Sequence, residues 1–467
     1  MSERIEGAGT VQPPAFQGFP LSPQQRRIAA LGDGEFGVRG AILIEGPLDS
    51  EELRAAVAAA VERHEILRTT YRRLPGMAEP LQVIGEADFA WEEAEGDGEL
   101  LDDFRAGGSW LRLRLVRLSA DRHVLLVALP ALAADARTLE NFVAEIAGAG
   151  AAEPMQYADY AAWYNEVLGS ADPVVEEELP PLLRTIPGSG FAPAALRFAP
   201  DPESAAAAQA ALGTSLEAAL LAAFQAVLAR FTGHSRLAVA VRLHGRDFEE
   251  LEGALGAFAR DVPVIADVDE DSSFGDLVRA AARSLLRARE RQEGFAWEAF
   301  FPAWIFQLET PPRRYESNGV AFILVERRVV TERFELALSC TPGLELELLY
   351  DPAHWDEATV RRLAASFLEL LRQSPGMALG DLDLPAEEPD HTAVDLPGAG
   401  LCLHQLVAVQ AARTPGRVAV RDDQQSLTWE ELVTAADRLA LQLISAGVRP
   451  EDRVAIRRER SVDMVVG

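Results

Sequence analysis

The sequence is poor in cysteine, in long apolar runs and in basic residues. Only two of its 467 residues are cysteines, Cys340 and Cys402. Their isolation argues against a disulfide framework and against a zinc site. No apolar run reaches the ~18 residues of a membrane-spanning helix, and the first residues lack the basic and apolar regions of a secretion signal. We therefore expect a cytoplasmic protein.

The charge balance disfavours two classes of partner. The 73 acidic and 44 basic side chains give a formal net charge of −29, which repels a phosphate backbone and anionic lipid headgroups. We expect neither a nucleic-acid nor a membrane partner. With 48% hydrophobic residues, the chain is long enough for several cores, because single domains rarely exceed ~300 residues.

Hydrophobic periodicity predicts alternating helices and strands, which is an α/β fold class. The stretch "SEELRAAVAAAVERHEILRTTY" predicts an amphipathic helix with Ser50 as its N-cap. The stretch "WLRLRLVRL" alternates with period two, as a strand with one solvated face does, whereas the apolar "HVLLVALPAL" predicts a central strand. In the second half, "VAFILVERRVV" predicts a further strand, and we expect its "VERR" segment to be solvated charge.

Two segments rich in proline, glycine and acids predict linkers. They divide the chain into a first lobe (1–170), a linker (171–205), a second lobe (206–380), a second linker (381–400) and the start of a further domain (401–467).

Several stretches resemble motifs of the condensation domain of non-ribosomal peptide synthetases. "LSPQQRRIAAL" (21–31) is similar to its opening helix, and "RHEILRTTY" (63–71) to its RHExLRTxF motif. "QYADYAAWYNEVL" (156–168) is similar to YxDFAxWQ, and "GALGAFARDVPV" (253–264) stands where the family has a GxFVNTxPL-like segment. "LTWEEL" resembles the LTYxEL motif of an adenylation domain. The motifs occur in the family's order over nearly the whole chain.

The resemblance implies a fold and a set of partners. The fold is two chloramphenicol-acetyltransferase-like lobes in a V-shaped pseudodimer, followed by an incomplete α/β start of an adenylation (AMP-binding) domain. One acyl group carried on the phosphopantetheine of a carrier domain enters the tunnel between the lobes from each side. Downstream adenylation and thiolation domains, and a tailoring enzyme in trans, are further expected partners. No cofactor is expected within this chain, because the ATP and Mg²⁺ residues of a complete adenylation domain would follow Gly467. The opening helix starts about 20 residues after Met1, so we expect any acyl donor to come in trans or not to exist.

The family's HHxxxDG motif departs from its pattern in this chain. Aligned on the motif, the two histidines become Pro130 and Ala131, the acid is Asp135 and the glycine becomes Ala136. The family uses its second histidine to position or deprotonate the attacking amine. Alanine has no lone pair for either task, and general acid–base help is typically worth ~10²–10⁴-fold in rate.

The resemblance implies a structural role for Asp135, paired with Arg68 or Arg63 of the RHExLR stretch, and a catalytic acid is the alternative. Pro130 would end the strand and shape the loop. His244, which ends a strand of the second lobe, is a weak candidate for a substitute base, and a plain surface histidine is the alternative. No two histidines have metal-ligand spacing, so no metal site is predicted.

Three functions remain open at this point. The first is a degenerate condensation-like domain that acts as a docking scaffold for a carrier domain or a tailoring enzyme. The second is an acyltransferase that still joins carrier-bound groups by proximity or with an unidentified base. The third is altered chemistry on a carrier-bound intermediate, such as dehydration or epimerisation.

Overall fold

The structure is a computed structural model. It describes residues 18–170, 190–200, 216–292, 302–381 and 403–467, with short gaps at 33, 78, 97–100, 102–103, 106–110, 151–152, 342, 373–375, 423–424, 450–451 and 458–460. The chain divides into two compact units, residues 1–385 and 386–467.

The first unit contains seven helices and fifteen strands among its described residues. The helices are α1 (Pro23–Ala30), α2 (Ser50–Arg63), α3 (Ala136–Ile146), α4 (Tyr157–Ser170), α5 (Leu216–Thr232), α6 (Phe274–Arg291) and α7 (Glu357–Arg372). The strands are β1 (Gly18–Phe19), β2 (Gly37–Glu45), β3 (Thr69–Arg72), β4 (Leu81–Ile84), β5 (Ala90–Glu95), β6 (Arg112–Ser119), β7 (Arg122–Leu129), β8 (Ala194–Phe198), β9 (Arg236–Leu243), β10 (Arg260–Asp267), β11 (Trp304–Leu308), β12 (Arg314–Ser317), β13 (Val320–Val330), β14 (Leu336–Cys340) and β15 (Leu346–Tyr350).

Two six-stranded sheets organise this unit. The first sheet has the order β12-β13-β2-β7-β6-β5, and the second has the order β10-β9-β11-β14-β15-β8. As its apolar sequence predicted, β7 is a central strand, paired antiparallel with β2 on one side and with β6 on the other. A separate core of buried side chains lies on each sheet, α2 and α3 belonging to the first core and α5 to α7 to the second. A small sheet, β1-β4-β3, completes the unit.

Strand β13 crosses from the second half of the chain into the first sheet. It pairs antiparallel with β2, Val330 opposite Gly37, so the expected second lobe of residues 206–380 does not hold all of its own strands. The physical reason lies in β11 and β14, which pair in parallel. Parallel neighbours require a crossover connection, and β12 and β13 form within that crossover.

Helix α2 starts one residue earlier than the sequence predicted. Its N-cap is Asp49, whose carboxylate accepts hydrogen bonds from the backbone amides of Glu51 and Glu52, and Ser50 is already helical. A carboxylate satisfies two otherwise unpaired amides at this position and favourably meets the positive end of the helix dipole.

The second unit contains α8 (Leu403–Arg413), β16 (Val418–Arg421), β17 (Ser426–Thr428), α9 (Trp429–Ser445) and α10 (Val462–Val466). The "LTWEEL" segment forms the junction of β17 and α9, where Thr428 and Glu431 make a reciprocal capping box. Among the helices that the structure describes, none has the length and apolarity needed to cross a membrane.

Candidate active site

The candidate site is the loop that connects β7 to α3. The strand ends at Leu129, and Pro130 (φ −65°) leads into a single 3₁₀ turn, Ala131–Ala133. Proline supplies this φ without strain and offers no N–H for continued strand pairing. The side chain of Ala131 is buried. At Ala131, which the predicted motif alignment places opposite the second histidine, this loop therefore presents only an enclosed methyl group.

Side chains from two distant motifs hold the loop in shape. The carbonyl of Leu132 accepts hydrogen bonds from Nε2 of Gln25 at 3.0 Å and from the hydroxyl of Tyr71 at 2.8 Å. Gln25 belongs to α1, where it forms a capping box with Ser22. Burial raises the pKa of Tyr71 well above its ordinary value, so the hydroxyl stays a donor. The loop geometry is thus built by the opening helix and by the strand that follows the RHEILR stretch.

Asp135 is the most heavily bonded side chain of the site. Its Oδ1 accepts from the backbone N–H and Oγ1 of Thr138, both at 2.9 Å, and from Nη2 of Arg246 at 3.0 Å. Its Oδ2 accepts from Nη1 of Arg246 at 2.8 Å and from the backbone amides of Phe258 and Ala259 at 2.9 and 3.0 Å. The carboxylate is 2% exposed. With six donors on two oxygens, it has no lone pair left with which to accept a proton from substrate.

The predicted partners of Asp135, Arg63 and Arg68, are wrong. Arg63 pairs with Glu145 at 3.2 Å, and Nη1 of Arg68 donates to the carbonyl of Gly85 at 2.7 Å. Glu145 lies ten residues beyond Asp135, about 15 Å along α3 at 1.5 Å per residue. The end of α2 therefore meets the far end of α3 rather than the loop.

The actual partner, Arg246, comes from the turn after β9. Gly245 has a φ of +65°, and this left-handed conformation lets the chain reverse so that the next side chain points back at α3. The guanidinium also lies over the ring of Phe258, 4.3 Å from its centroid. The sequence does indicate a turn here, because the "HGR" triplet follows a predicted strand. Nothing in the triplet shows that its arginine pairs with a carboxylate 111 residues away.

The segment predicted to match GxFVNTxPL closes over this pair. The backbone N–H of Gly256 donates to Oγ1 of Thr138 at 3.1 Å, and its carbonyl accepts from Arg246 at 3.2 Å. The hydroxyl of Tyr157, in the "QYADYAAWYNEVL" helix, donates to the carbonyl of Ala257 at 2.7 Å. An added Cβ at Gly256 would lie only 2.0 Å from the ring of Tyr157. Three of the sequence motifs therefore meet at one buried point.

His244 lies at a cavity of about 400 Å³ that Asp135 also lines. Its Nδ1 accepts a hydrogen bond from the backbone N–H of Arg246 at 3.0 Å. Desolvation lowers the pKa of its imidazole below the ordinary value, with the neighbouring Arg246 contributing in the same direction. The ring is therefore neutral near pH 7, and since Nδ1 is an acceptor, the single proton sits on Nε2.

The floor of the same cavity carries a cluster that the sequence prediction missed. Glu140 receives hydrogen bonds from Arg137, Thr310 and Arg327, each at 2.6 Å. Arg327 is 11% exposed and also pairs with Glu309 at 2.7 Å. The expectation that "VERR" is solvated charge is wrong for this arginine, because β13 has crossed into the first sheet and faces α3.

Among the described residues, no group of three or more His, Cys, Asp or Glu side chains is arranged to hold a metal ion. Cys340 is a buried free thiol, and burial raises its pKa well above the ordinary value. It is an unreactive core side chain.

Two sheets meeting at a loop with this motif geometry define a condensation-type domain, and comparison with known proteins agrees. The family model described as "Condensation domain" matches residues 17–296, and the model described as "AMP-binding enzyme" matches residues 407–467. The chain belongs to the condensation domain family, and part of an adenylation domain follows. This is the domain pair of a non-ribosomal peptide synthetase module.

The curated relatives are peptide synthetases. The chain is 29% identical to tyrocidine synthase 3 of Brevibacillus parabrevis, over 100% of this chain and 8% of that protein. It is 30% identical to the phosphinothricin tripeptide synthetase PhsB of Streptomyces viridochromogenes, over 93% of this chain and 43% of that protein. The chain thus spans less than half the length of either relative.

Solved structures show the same fold. The condensation domain of the Monacolin K polyketide synthase MokA has a TM-score of 0.64 at 19% identity, covering 78% of this chain and 99% of that one. The X-domain in its complex with OxyB from teicoplanin biosynthesis has a TM-score of 0.57 at 22% identity, covering 83% and 100%. The predicted fold class, with two chloramphenicol-acetyltransferase-like lobes, is confirmed.

Proposed function

We propose that the condensation-like domain of this chain is impaired in amide-bond formation and serves as a docking scaffold for a carrier domain or a tailoring enzyme. The single observation that carries the proposal is the buried alanine at position 131 in a loop whose shape is otherwise maintained. A methyl group cannot orient the attacking amine or take its proton.

The role of Asp135 within this proposal is structural. Its six hydrogen bonds join α3 of the first lobe to Arg246 and to the 258–259 backbone of the second. With both oxygens fully occupied by donors from Arg246, Thr138 and the backbone, this carboxylate holds the two segments together and has no site left for a substrate proton.

His244 does not replace the missing base. With its proton on Nε2, the accessible nitrogen is a hydrogen-bond donor and has no lone pair for an incoming amine. To become a base at Nε2, the ring would first have to lose its bond to the Arg246 amide and move the proton to Nδ1. Donation to a carbonyl oxygen remains open to it, but that does not deprotonate a nucleophile.

The docking role is supported by what the chain keeps. The loop is held by Gln25 and Tyr71, and the Asp135–Arg246 ion pair joins the two lobes. The domain therefore offers a well-packed surface to a partner. One neighbour in fold is an X-domain solved in complex with OxyB, which makes a tailoring protein a reasonable partner class. Phosphopantetheine would arrive on the carrier, and ATP with Mg²⁺ would be used only by a complete adenylation domain.

The binding half of the proposal is tested with the full chain and a fluorescently labelled holo-carrier domain. We expect saturable binding by fluorescence anisotropy. An Arg246→Ala variant, which removes the ion pair between Asp135 and the second lobe, should weaken binding. Arg314→Ala, which alters an exposed side chain, should leave binding unchanged. Absence of saturable binding to either a carrier or a candidate tailoring enzyme would contradict the scaffold role.

The alternative function is an active acyltransferase that joins two carrier-bound groups by proximity. The observation that favours it is that His244 and Asp135 line one cavity large enough to admit reactants. If it is correct, filling this cavity with Ala136→Trp, at a residue that lines it, should abolish product formation by the purified chain, and His244→Gln should slow it. Unchanged product formation by the plugged variant would exclude this alternative.

A further inference from the structure

A second cavity lies behind the candidate site. It has a volume of about 650 Å³ and is lined by residues of β8, β13 and the β14–β15 hairpin. Three residues, Glu140, Thr310 and Arg327, line both this cavity and the one that contains Asp135 and His244. These three side chains therefore stand between the two cavities and form a shared wall.

The wall is held by short, charge-assisted bonds from three elements. Arg327 of β13 donates to Oε1 of Glu140 on α3 at 2.6 Å and to Oε2 of Glu309, just after β11, at 3.0 and 2.7 Å. Thr310 donates to the same Oε1 of Glu140 at 2.6 Å, and Arg137 occupies its Oε2. Although burial lowers the pKa of Arg327, the carboxylates of Glu309 and Glu140 raise it overall.

This arrangement ties the two lobes together at the wall between the two cavities. Glu140 belongs to the first lobe and Glu309 follows a strand of the second sheet, while Arg327 bridges them from a strand that has crossed over. The Glu140 and Arg327 side chains are 8% and 11% exposed. Salt screens a charged pair that is buried to this degree only weakly. Separating the two side chains would break several charge-assisted hydrogen bonds at once.

We infer that Glu140 and Arg327 form a gate that divides the passage between the lobes into two blind pockets and determines whether a carrier-bound group can cross. This inference rests on the proposed function in one respect, which is that the domain is impaired in condensation. The closed gate would then be a second obstacle to condensation, in addition to the missing histidines. In the closed state, groups delivered to the two cavities do not meet.

The test measures passage directly and requires no acyl transfer. In a Cys402→Ser background, Ala136→Cys places a thiol in the first cavity and Ser339→Cys places one in the second; both are small, near-isosteric changes. Bis-maleimides with polyethylene glycol spacers of increasing length then probe for an intramolecular cross-link, detected by intact mass. Cys340 is buried, and a monofunctional maleimide verifies that each new thiol reacts.

We expect little cross-linking with the short spacers in the parent double-cysteine protein and at least a ten-fold faster cross-link after Arg327→Ala. Glu140→Gln, which keeps the shape of the side chain but removes its charge, should give an intermediate rate and decides the matter if Arg327→Ala fails to fold. The matched control is Arg197→Ala, since Arg197 lines only the second cavity, and it should behave as the parent does.

Two results would overturn the gate. One is a parent protein that cross-links as fast as Arg327→Ala with the shortest spacer. The other is no cross-link in either gate variant although both thiols react with the monofunctional reagent. Neither result bears on whether the loop can deprotonate an amine, so the gate and the proposed function fail separately.

Discussion

Replacement of Arg246 by alanine should destabilise the first unit more than any replacement of the arginines that the sequence suggested. Arg246 is 3% exposed. Its guanidinium donates two of the six hydrogen bonds to Asp135. It also donates to the carbonyls of Ala254 and Gly256. Its removal leaves the 2% exposed carboxylate of Asp135 without a countercharge, held only by neutral donors.

The size of the effect follows from that burial. Removing one partner of a buried ion pair costs about 3–5 kcal/mol, because the remaining charge stays desolvated. For a unit of about 385 residues, an unfolding entropy of about 2 cal/mol/K per residue converts this cost into a melting temperature lower by roughly 4–6 °C. The free energy is measured by urea denaturation of the full chain with tryptophan fluorescence, and the melting temperature by calorimetry.

The matched control is Arg63→Ala. Arg63 is 37% exposed at its side chain although its partner Glu145 is only 5% exposed, so its removal should cost less than removal of Arg246, whose ion pair is buried on both sides. Equal losses for the two variants would refute the assignment of Arg246 as the partner of Asp135. A double-mutant cycle of Arg246→Ala with Asp135→Asn adds a second check, because a coupling near zero would contradict the pair.

Three further predictions follow from the same region. Thr138→Val should cost about 1–3 kcal/mol, since the buried Oγ1 accepts hydrogen bonds from the backbone amides of Asp135 and Gly256, and valine leaves these amides unpaired; urea denaturation measures it, and a loss below 0.5 kcal/mol, the ~±0.5 typical of surface changes, would contradict it. Gly245→Ala should destabilise strongly, because the added Cβ would lie 2.0 Å from the carbonyl oxygen of Phe258 at a left-handed φ; a melting temperature equal to that of the parent would exclude the turn described. His244 has a lowered pKa in the folded state, so the unfolded state binds more protons. The histidine's contribution to stability is therefore fully present above its ordinary pKa of ~6.5, declines below it, and is lost as the pH falls through the lowered folded-state pKa. The stability of the parent should therefore drop more between pH 7 and 5 than that of His244→Gln, and parallel pH profiles would contradict this.

Local patterns in the sequence predicted much of the local structure. The apolar run 123–129 became a central strand, and "LTWEEL" became a strand followed by a capped helix. These features depend on periodicity and capping, which act over a few residues. Motif order over the whole chain was sufficient to predict the fold class.

Long-range partners could not be predicted in the same way. Arg246 and Asp135 are 111 residues apart, and Arg327 and Glu140 are 187 apart. Their contacts exist because a glycine reverses the chain after β9 and because β13 crosses into the first sheet. Neither event leaves a pattern near the acid itself. The family resemblance therefore assigned Asp135 to the arginines of the RHExLR stretch, and the local charge pattern assigned Arg327 to solvent.

The most direct test of the central claim is a single-turnover acyl-transfer measurement by intact mass, with the full chain and two separately loaded carrier domains. We predict no transfer by the native chain above the uncatalysed rate. The Pro130→His, Ala131→His double variant serves as the comparison, with circular dichroism to verify folding, since a side chain larger than the buried methyl of Ala131 can cost about 1–3 kcal/mol. Transfer by the native chain at a rate within ten-fold of that variant would contradict the account, because the lost base is expected to be worth ~10²–10⁴-fold.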